Sequence, residues 1–322
     1  DLKDCELIIE AVFENEKLKN SITKETEAVI RENSIYATNT STIPITNLAK
    51  ASSRPDKFIG LHFFSPVDRM PLVEVIVGEK TSEKTLAAAI DFVTTIRKVP
   101  IVVNDGRGFF TSRVFGKFVN EGITMLSEGI PPAVIENVAK KIGMPVGPLA
   151  ISDEVNLKLM LDIMGEDPTL TEHEKQLEKT IEVMVKKYGR TGKKEGKGFY
   201  EYPEGAQKYI WPEWENIFPV HNNYDEEEVG RRMLFAMVID AYKCIESGVI
   251  KEPKDADVGS ILGLGFPIYT GGVMSYIDYI GAQDFVAYSE LLSKKFGERF
   301  KLPISLIDRI EKAGNNRVFY KN

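Results

Sequence analysis

Histidine and cysteine are scarce in this chain, with three of the first and two of the second among 322 residues. Cys5 and Cys244 lie far apart, and neither has the spacing of a metal or redox motif. A disulfide framework and a zinc or thioredoxin-type centre are thereby excluded, no metal site is expected, and a reduced, cytoplasmic setting follows. Long apolar runs are missing too. The longest, Ile261 to Tyr269, is broken by glycines and a proline and falls short of the roughly 18 residues that a membrane span needs, so the chain reads as soluble. Nor is there a block of Lys and Arg. Basic residues are scattered, densest from Arg190 to Lys197, and the formal charge of −7 argues against a nucleic-acid or anionic-membrane partner.

What is present is an ordinary globular composition, 43% hydrophobic and 28% charged, in a chain long enough for more than one domain. The first hundred residues alternate in texture. Strand patterns at 6–13, 34–38, 57–64, 72–77 and 99–103 are interleaved with helical patterns at 16–32, 44–51 and 82–96. Such alternation predicts an α/β sheet, mostly parallel at first. Pro66 and Pro71 bracket a turn, so strands 57–64 and 72–77 are expected to form a hairpin-like pair. The chain opens at once on Leu7 to Phe13, which reads as a buried central strand, as a piece of a longer protein would.

After Asp105-Gly106-Arg107-Gly108 the periodicity becomes helical to the end, which predicts an all-α part. It contains a duplication. Phe118 to Ile123, Glu128-Gly129-Ile130 and Ile142 to Pro148 recur as Met237 to Tyr242, Glu246 to Ile250 and Leu262 to Pro267. A loop-rich stretch at about 189–224 separates the copies. The expected domains are therefore an α/β domain over 1–104 and two helical domains over 105–222 and 223–322.

One of the three histidines, His62, sits in a strand with a carboxylate, Glu74, downstream. Their midpoint is Asp68, inside the proline-bracketed turn, so an antiparallel pair places the two side chains opposite each other. A carboxylate on one ring nitrogen fixes the imidazole tautomer and suits the other nitrogen to proton transfer. The competing explanation is a half-buried histidine satisfied by its neighbours. Ser41 follows strand 34–38, at the mouth of the sheet where α/β folds bind ligands. It is either a helix N-cap ahead of Pro44 or a hydroxyl for a substrate oxygen. No Gly-x-Ser-x-Gly surrounds it, which disfavours a serine hydrolase.

The strings Ile9-Glu10-Ala11-Val12-Phe13-Glu14-Asn15, Thr38-Asn39-Thr40-Ser41, Gly60-Leu61-His62-Phe63-Phe64-Ser65-Pro66 and Pro71-Leu72-Val73-Glu74-Val75 resemble the L-3-hydroxyacyl-CoA dehydrogenase family. The likeness is greatest to the dehydrogenase part of multifunctional fatty-acid β-oxidation enzymes, and the duplicated helical part points the same way. The resemblance implies the C-terminal part of a Rossmann-like NAD-binding domain followed by two tandem helical C-terminal domains. It implies oxidation of an acyl-CoA alcohol with NAD, with His62 as base, Glu74 as its partner and Ser41 on the substrate oxygen. Nicotinamide-side contacts are implied for Glu14, Lys19, Ser41 and Ser65, and a homodimer or a thiolase complex for assembly.

Two departures stand out. The family's Asp-x-Pro-Gly-Phe followed by x-x-Asn-Arg becomes Asp105-Gly106-Arg107-Gly108-Phe109-Phe110-Thr111-Ser112-Arg113, so Ser112 replaces an Asn that contacts substrate. Ser112 is kept as a fourth catalytic candidate against a plain helix-start role. Secondly, the Gly-x-Gly-x-x-Gly cofactor signature is absent from these residues. Without its backbone amides the pyrophosphate has no main anchor, so the 322 residues alone are expected to be inactive. Two rival functions stay open: a non-catalytic helical module for dimerisation or assembly, and a related dehydrogenase acting on another hydroxyacid.

Overall fold

The computed structural model describes residues 2–165, 168 and 170–320. The α/β part runs β1 (Leu7–Glu10), α1 (Glu16–Glu27), β2 (Ile35–Thr38), α2 (Ile45–Leu48), β3 (Phe58–Phe63), β4 (Leu72–Val77), α3 (Glu83–Thr95) and β5 (Val99–Asn104). The strands form one sheet in sequence order, parallel except where β4 runs antiparallel to β3. The expected hairpin-like pair is thus present, with His62 paired to Glu74. β1 differs from expectation. It lies at the sheet's edge, mostly half-buried, and is four residues long because the chain turns away after Glu10, whose carboxylate accepts from the Val12 N–H.

Local chemistry sets the helix starts. Asn15 and Ser82 cap α1 and α3 by accepting from the amides of Leu18 and Thr85. Strand alternation then separates two faces of the sheet. One carries Ile59, Leu61, Val73 and Val75 and packs on Ala89 and Val93 of α3. The other carries His62, Glu74 and Ile101. It is met by a later helix over Pro253–Leu264, whose Gly259 and Gly263 approach Ile101 and Leu72 so closely that an added Cβ would lie 2.7 and 2.5 Å from them.

The helical part comprises α4 (Thr111–Ser127), α5 (Pro132–Lys141), α6 (Pro148–Val155), α7 (Leu157–Gly165), α8 (Glu172–Glu182), α9 (Glu226–Glu246), α10 (Pro253–Leu264), α11 (Ser275–Ile280), α12 (Ala282–Phe296) and α13 (Ile304–Ala313). This is the α/β part followed by helices that the sequence predicts, with one small addition. Tyr200–Glu201 and Tyr209–Ile210 pair as a short antiparallel ribbon, β6 and β7, inside the loop-rich stretch. None of the described helices is long and apolar enough to cross a membrane. Packing groups the chain into one unit of 1–115 with 238–322 and another of 116–237. These divisions fall inside α4 and α9.

Each helical repeat contains a carboxylate cradle. In 116–237, Glu136 accepts from the amides of Leu149 and Ala150 and from the Tyr200 hydroxyl. Asp153 accepts from the amides of Phe199 and Tyr200 and from the Tyr202 hydroxyl. In 238–322, Asp257 accepts from the amides of Met274 and Ser275 and from the Ser275 and Tyr320 hydroxyls. Asp278 accepts from the Val318 amide through Oδ1.

Candidate active site

His62 points from β3 onto the face opposite α3, is 6% exposed, and places Nδ1 3.0 Å from Glu74 Oε2. Glu74 is fully buried. Its Oε1 accepts the amides of Phe110 and Thr111 at 3.0 and 3.1 Å, and its Oε2 also accepts the Thr111 hydroxyl at 2.6 Å. Those donors form the N-terminus of the 17-residue helix α4. They reach the carboxylate because Gly108 and Phe109 adopt successive left-handed conformations, φ 71° and 49°, before the helix begins. A buried carboxylate is costly unless hydrogen-bonded, and here amides, a hydroxyl and the positive end of a helix compensate it.

The tautomer follows from this geometry. An ionised carboxylate only accepts, so Nδ1 of His62 carries the proton and the Nε2 lone pair is left to take another. Phe64 and Phe109 flank the ring, with centroids 4.5 and 6.4 Å away. This apolar packing limits imidazole rotation.

Ser41 is exposed on the loop after β2, and its amide donates to Glu14 Oε1 at 3.0 Å. The same oxygen of Glu14 accepts from the amide and hydroxyl of Thr42 and from the hydroxyl of Thr40. Lys19 is buried, 1% exposed, although it lies in the first turn of α1. Its ammonium donates to Glu10 Oε1 and the Asn39 carbonyl at 2.9 Å each, and to the Val12 carbonyl at 3.4 Å. Glu14 and Lys19 therefore brace the 39–42 loop from beneath. Asn39 ties that loop to the end of β3, since its Oδ1 accepts the Phe63 amide at 3.1 Å, one residue from His62. Ser65 is exposed just beyond β3, in a cis peptide with Pro66. Ser112 is half-buried on the first turn of α4, beside Thr111.

The serine loop, the histidine strand and the glutamate are thus joined by named hydrogen bonds. Sequence reasoning missed Thr111, Asn39 and Glu10. For Thr111 a signal exists, since a hydroxyl at a helix start is a common cap, but the family pattern singles out its neighbour Ser112.

Residues 1–106 match the family model for the 3-hydroxyacyl-CoA dehydrogenase NAD binding domain, and residues 108–202 match the model for that family's C-terminal domain. The chain belongs to the 3-hydroxyacyl-CoA dehydrogenase family. It is 38% identical to a fatty acid oxidation complex subunit alpha of Shewanella baltica over 93% of its own length and 43% of that protein's. The family member described here thus spans less than half the length of the curated relatives it matches. Among solved structures, (S)-3-hydroxybutyryl-CoA dehydrogenase from Ralstonia eutropha is 39% identical, covering 63% of this chain and 73% of that one, with a TM-score of 0.58. The fold alone is shared with 3-hydroxybutyryl-CoA dehydrogenase from Escherichia coli, 21% identical with a TM-score of 0.76 over 97% of this chain and 82% of that one.

Exposed hydroxyls of Ser41 and Ser65 stand beyond β2 and β3, whereas Lys19 is spent inside the fold.

Proposed function

We propose that this chain contributes the proton-handling machinery for oxidation of L-3-hydroxyacyl-CoA to 3-oxoacyl-CoA in fatty-acid β-oxidation. The observation that carries this reading is the buried His62–Glu74 pair held at the start of α4. Nε2 of His62 takes the proton of the substrate hydroxyl, and the Ser41 hydroxyl donates to the same oxygen as it becomes a ketone. Ser112 offers a further donor, and Thr111 keeps Glu74 in place. NAD, when bound, supplies the hydride acceptor. Glu14 and Lys19 act chiefly by setting the loop that presents Ser41.

In a chain extended by a glycine-rich phosphate-binding segment, His62→Gln is expected to lower kcat for acetoacetyl-CoA reduction by at least about 100-fold with NADH affinity retained. An unchanged kcat removes His62 from the mechanism. For the 322 residues alone we expect no turnover, and calorimetry with NADH checks this: saturable binding contradicts the need for that segment. A cytoplasmic setting and assembly as a homodimer or with a thiolase belong to the same proposal, as do helical repeats over 105–222 and 223–322. Sedimentation of the chain alone and with a thiolase tests the assembly.

A further inference from the structure

The short helix α2, which follows the Ser41 loop, has no cap of its own, because Pro44 holds the cap position and its side chain cannot accept. The acceptor comes from 60 residues away. Asp105, half-buried just beyond β5, accepts the Ile45 amide through Oδ1 at 2.9 Å and the Thr46 amide through Oδ2 at 2.7 Å. Asp105 is itself held, since its own amide donates to the Val77 carbonyl at 3.1 Å. Ile45 has no slack against the sheet: it is fully buried, and a Cβ added at Gly60 would lie 2.6 Å from its Cδ1. The loop that carries Ser41 thus has Glu14 beneath it and Asp105 at its downstream end. The same Asp105 opens the segment that ends at the amides of Phe110 and Thr111, the donors to Glu74. That segment is stiffened by its own backbone bonds, Phe109 N–H to the Gly106 carbonyl at 3.1 Å and Arg113 N–H to the Gly108 carbonyl at 3.0 Å.

We propose that Asp105 is a positioning residue for the reaction: it ties the loop that presents Ser41 to the segment that holds Glu74, and so sets the Ser41 hydroxyl against Nε2 of His62. The inference rests on the oxidation proposed above, in which those two groups share one substrate oxygen. A base and a donor on the same oxygen work only within a narrow range of separation, and a misplacement of about 1 Å can cost on the order of 100-fold in rate. The bond from the Phe63 amide to Asn39 Oδ1 fixes the upstream end of the loop to β3. Asp105 fixes the other end, using both carboxylate oxygens, one for each amide. Without it those two amides lose their acceptor and the loop gains freedom where the reaction needs it fixed.

Hydrogen exchange of the 322-residue chain tests the tie without turnover. In Asp105→Ala the amides of Ile45 and Thr46 are expected to exchange at least about 10-fold faster than in the parent. In the chain extended by the glycine-rich segment, Asp105→Ala should lower kcat for acetoacetyl-CoA reduction about 10-fold per folded molecule, with KM changed less than about twofold. In a Ser41→Ala background the same substitution should lower kcat less than about twofold, because the group it positions is gone. Asp105→Asn keeps one acceptor oxygen, so it retains more of the fold and should fall between the parent and Asp105→Ala in each measurement. Unchanged exchange at Ile45 and Thr46 overturns the proposal. So does a kcat per folded molecule equal to the parent's, which a role in stability alone would give, or a loss as large in the Ser41→Ala background as in the parent. None of these outcomes bears on the His62→Gln test, so this inference and the oxidation reading fail separately.

Discussion

The two helical repeats solve one problem with the same parts and different completeness. Each starts a helix with proline, at Pro132 or Pro253, and places a carboxylate four residues on, Glu136 or Asp257. That carboxylate gathers two amides and a tyrosine hydroxyl from a distant segment, Tyr200 or Tyr320. The second carboxylate, Asp153 or Asp278, then fastens the segment's backbone. In the first repeat every acceptor is engaged and the segment is fixed by both its amides and its aromatic hydroxyls. In the second, one oxygen is released. The second clamp therefore holds its segment through a single amide contact, where the first uses two amides and a hydroxyl.

The largest way to break this comparison is at Gly198. A Cβ there would lie 1.9 Å from Asp153 Oδ1, so Gly198→Ala should remove at least about 3 kcal/mol of stability or prevent folding of the first repeat. Denaturant unfolding with circular dichroism measures it. Next is Asp153→Asn. The amide nitrogen faces donors where an acceptor is needed, and a loss of about 2–3 kcal/mol is expected at neutral pH. By contrast, Asp278→Asn retains an acceptor for Val318 and turns its nitrogen toward the vacant position, so its cost should stay below about 1 kcal/mol. Equal losses in the two variants would show that the repeats do not differ in the way described.

A smaller effect is the pH dependence of the first cradle. Burial pushes the Asp153 carboxyl up to about 6 from 3.8, against the lowering effect of its hydrogen bonds. The folded chain then holds a proton that the unfolded chain has released. This group's contribution to stability is complete below pH about 4 and is lost as pH rises through about 6. Unfolding measured at pH 4.5 and 7 should show that trend in the parent and a smaller one in Asp153→Asn, where the raised Glu136 and Asp257 carboxyls remain.

Much of the α/β part was legible because its signals are local. Period-two strands, two prolines and the symmetry of His62 and Glu74 about Asp68 are enough to give the antiparallel pair and its register. Ser41 at the end of β2 was legible for the same reason. The burial of Lys19 was not, since a lysine on a helix start reads as solvated until the Glu10 carboxylate and the Asn39 carbonyl are brought to it by strand pairing. The edge position of β1 was equally hidden, because an apolar run does not reveal how many neighbours it has. The duplication was visible as repeated apolar strings, yet hydrophobic periodicity says nothing of the polar cradles. The ribbon of Tyr200–Glu201 with Tyr209–Ile210 is too short for any periodic signal.

The enclosure of Lys19 makes it a built-in clock. Amine-reactive reagents meet most lysines of this protein at the surface, but an ammonium that is 1% exposed and shared by three acceptors reacts only when α1 lifts from the strands beneath it. The rate at which mass spectrometry finds Lys19 acylated, relative to its exposed neighbour Lys17, therefore reports how often the serine loop loses its underpinning.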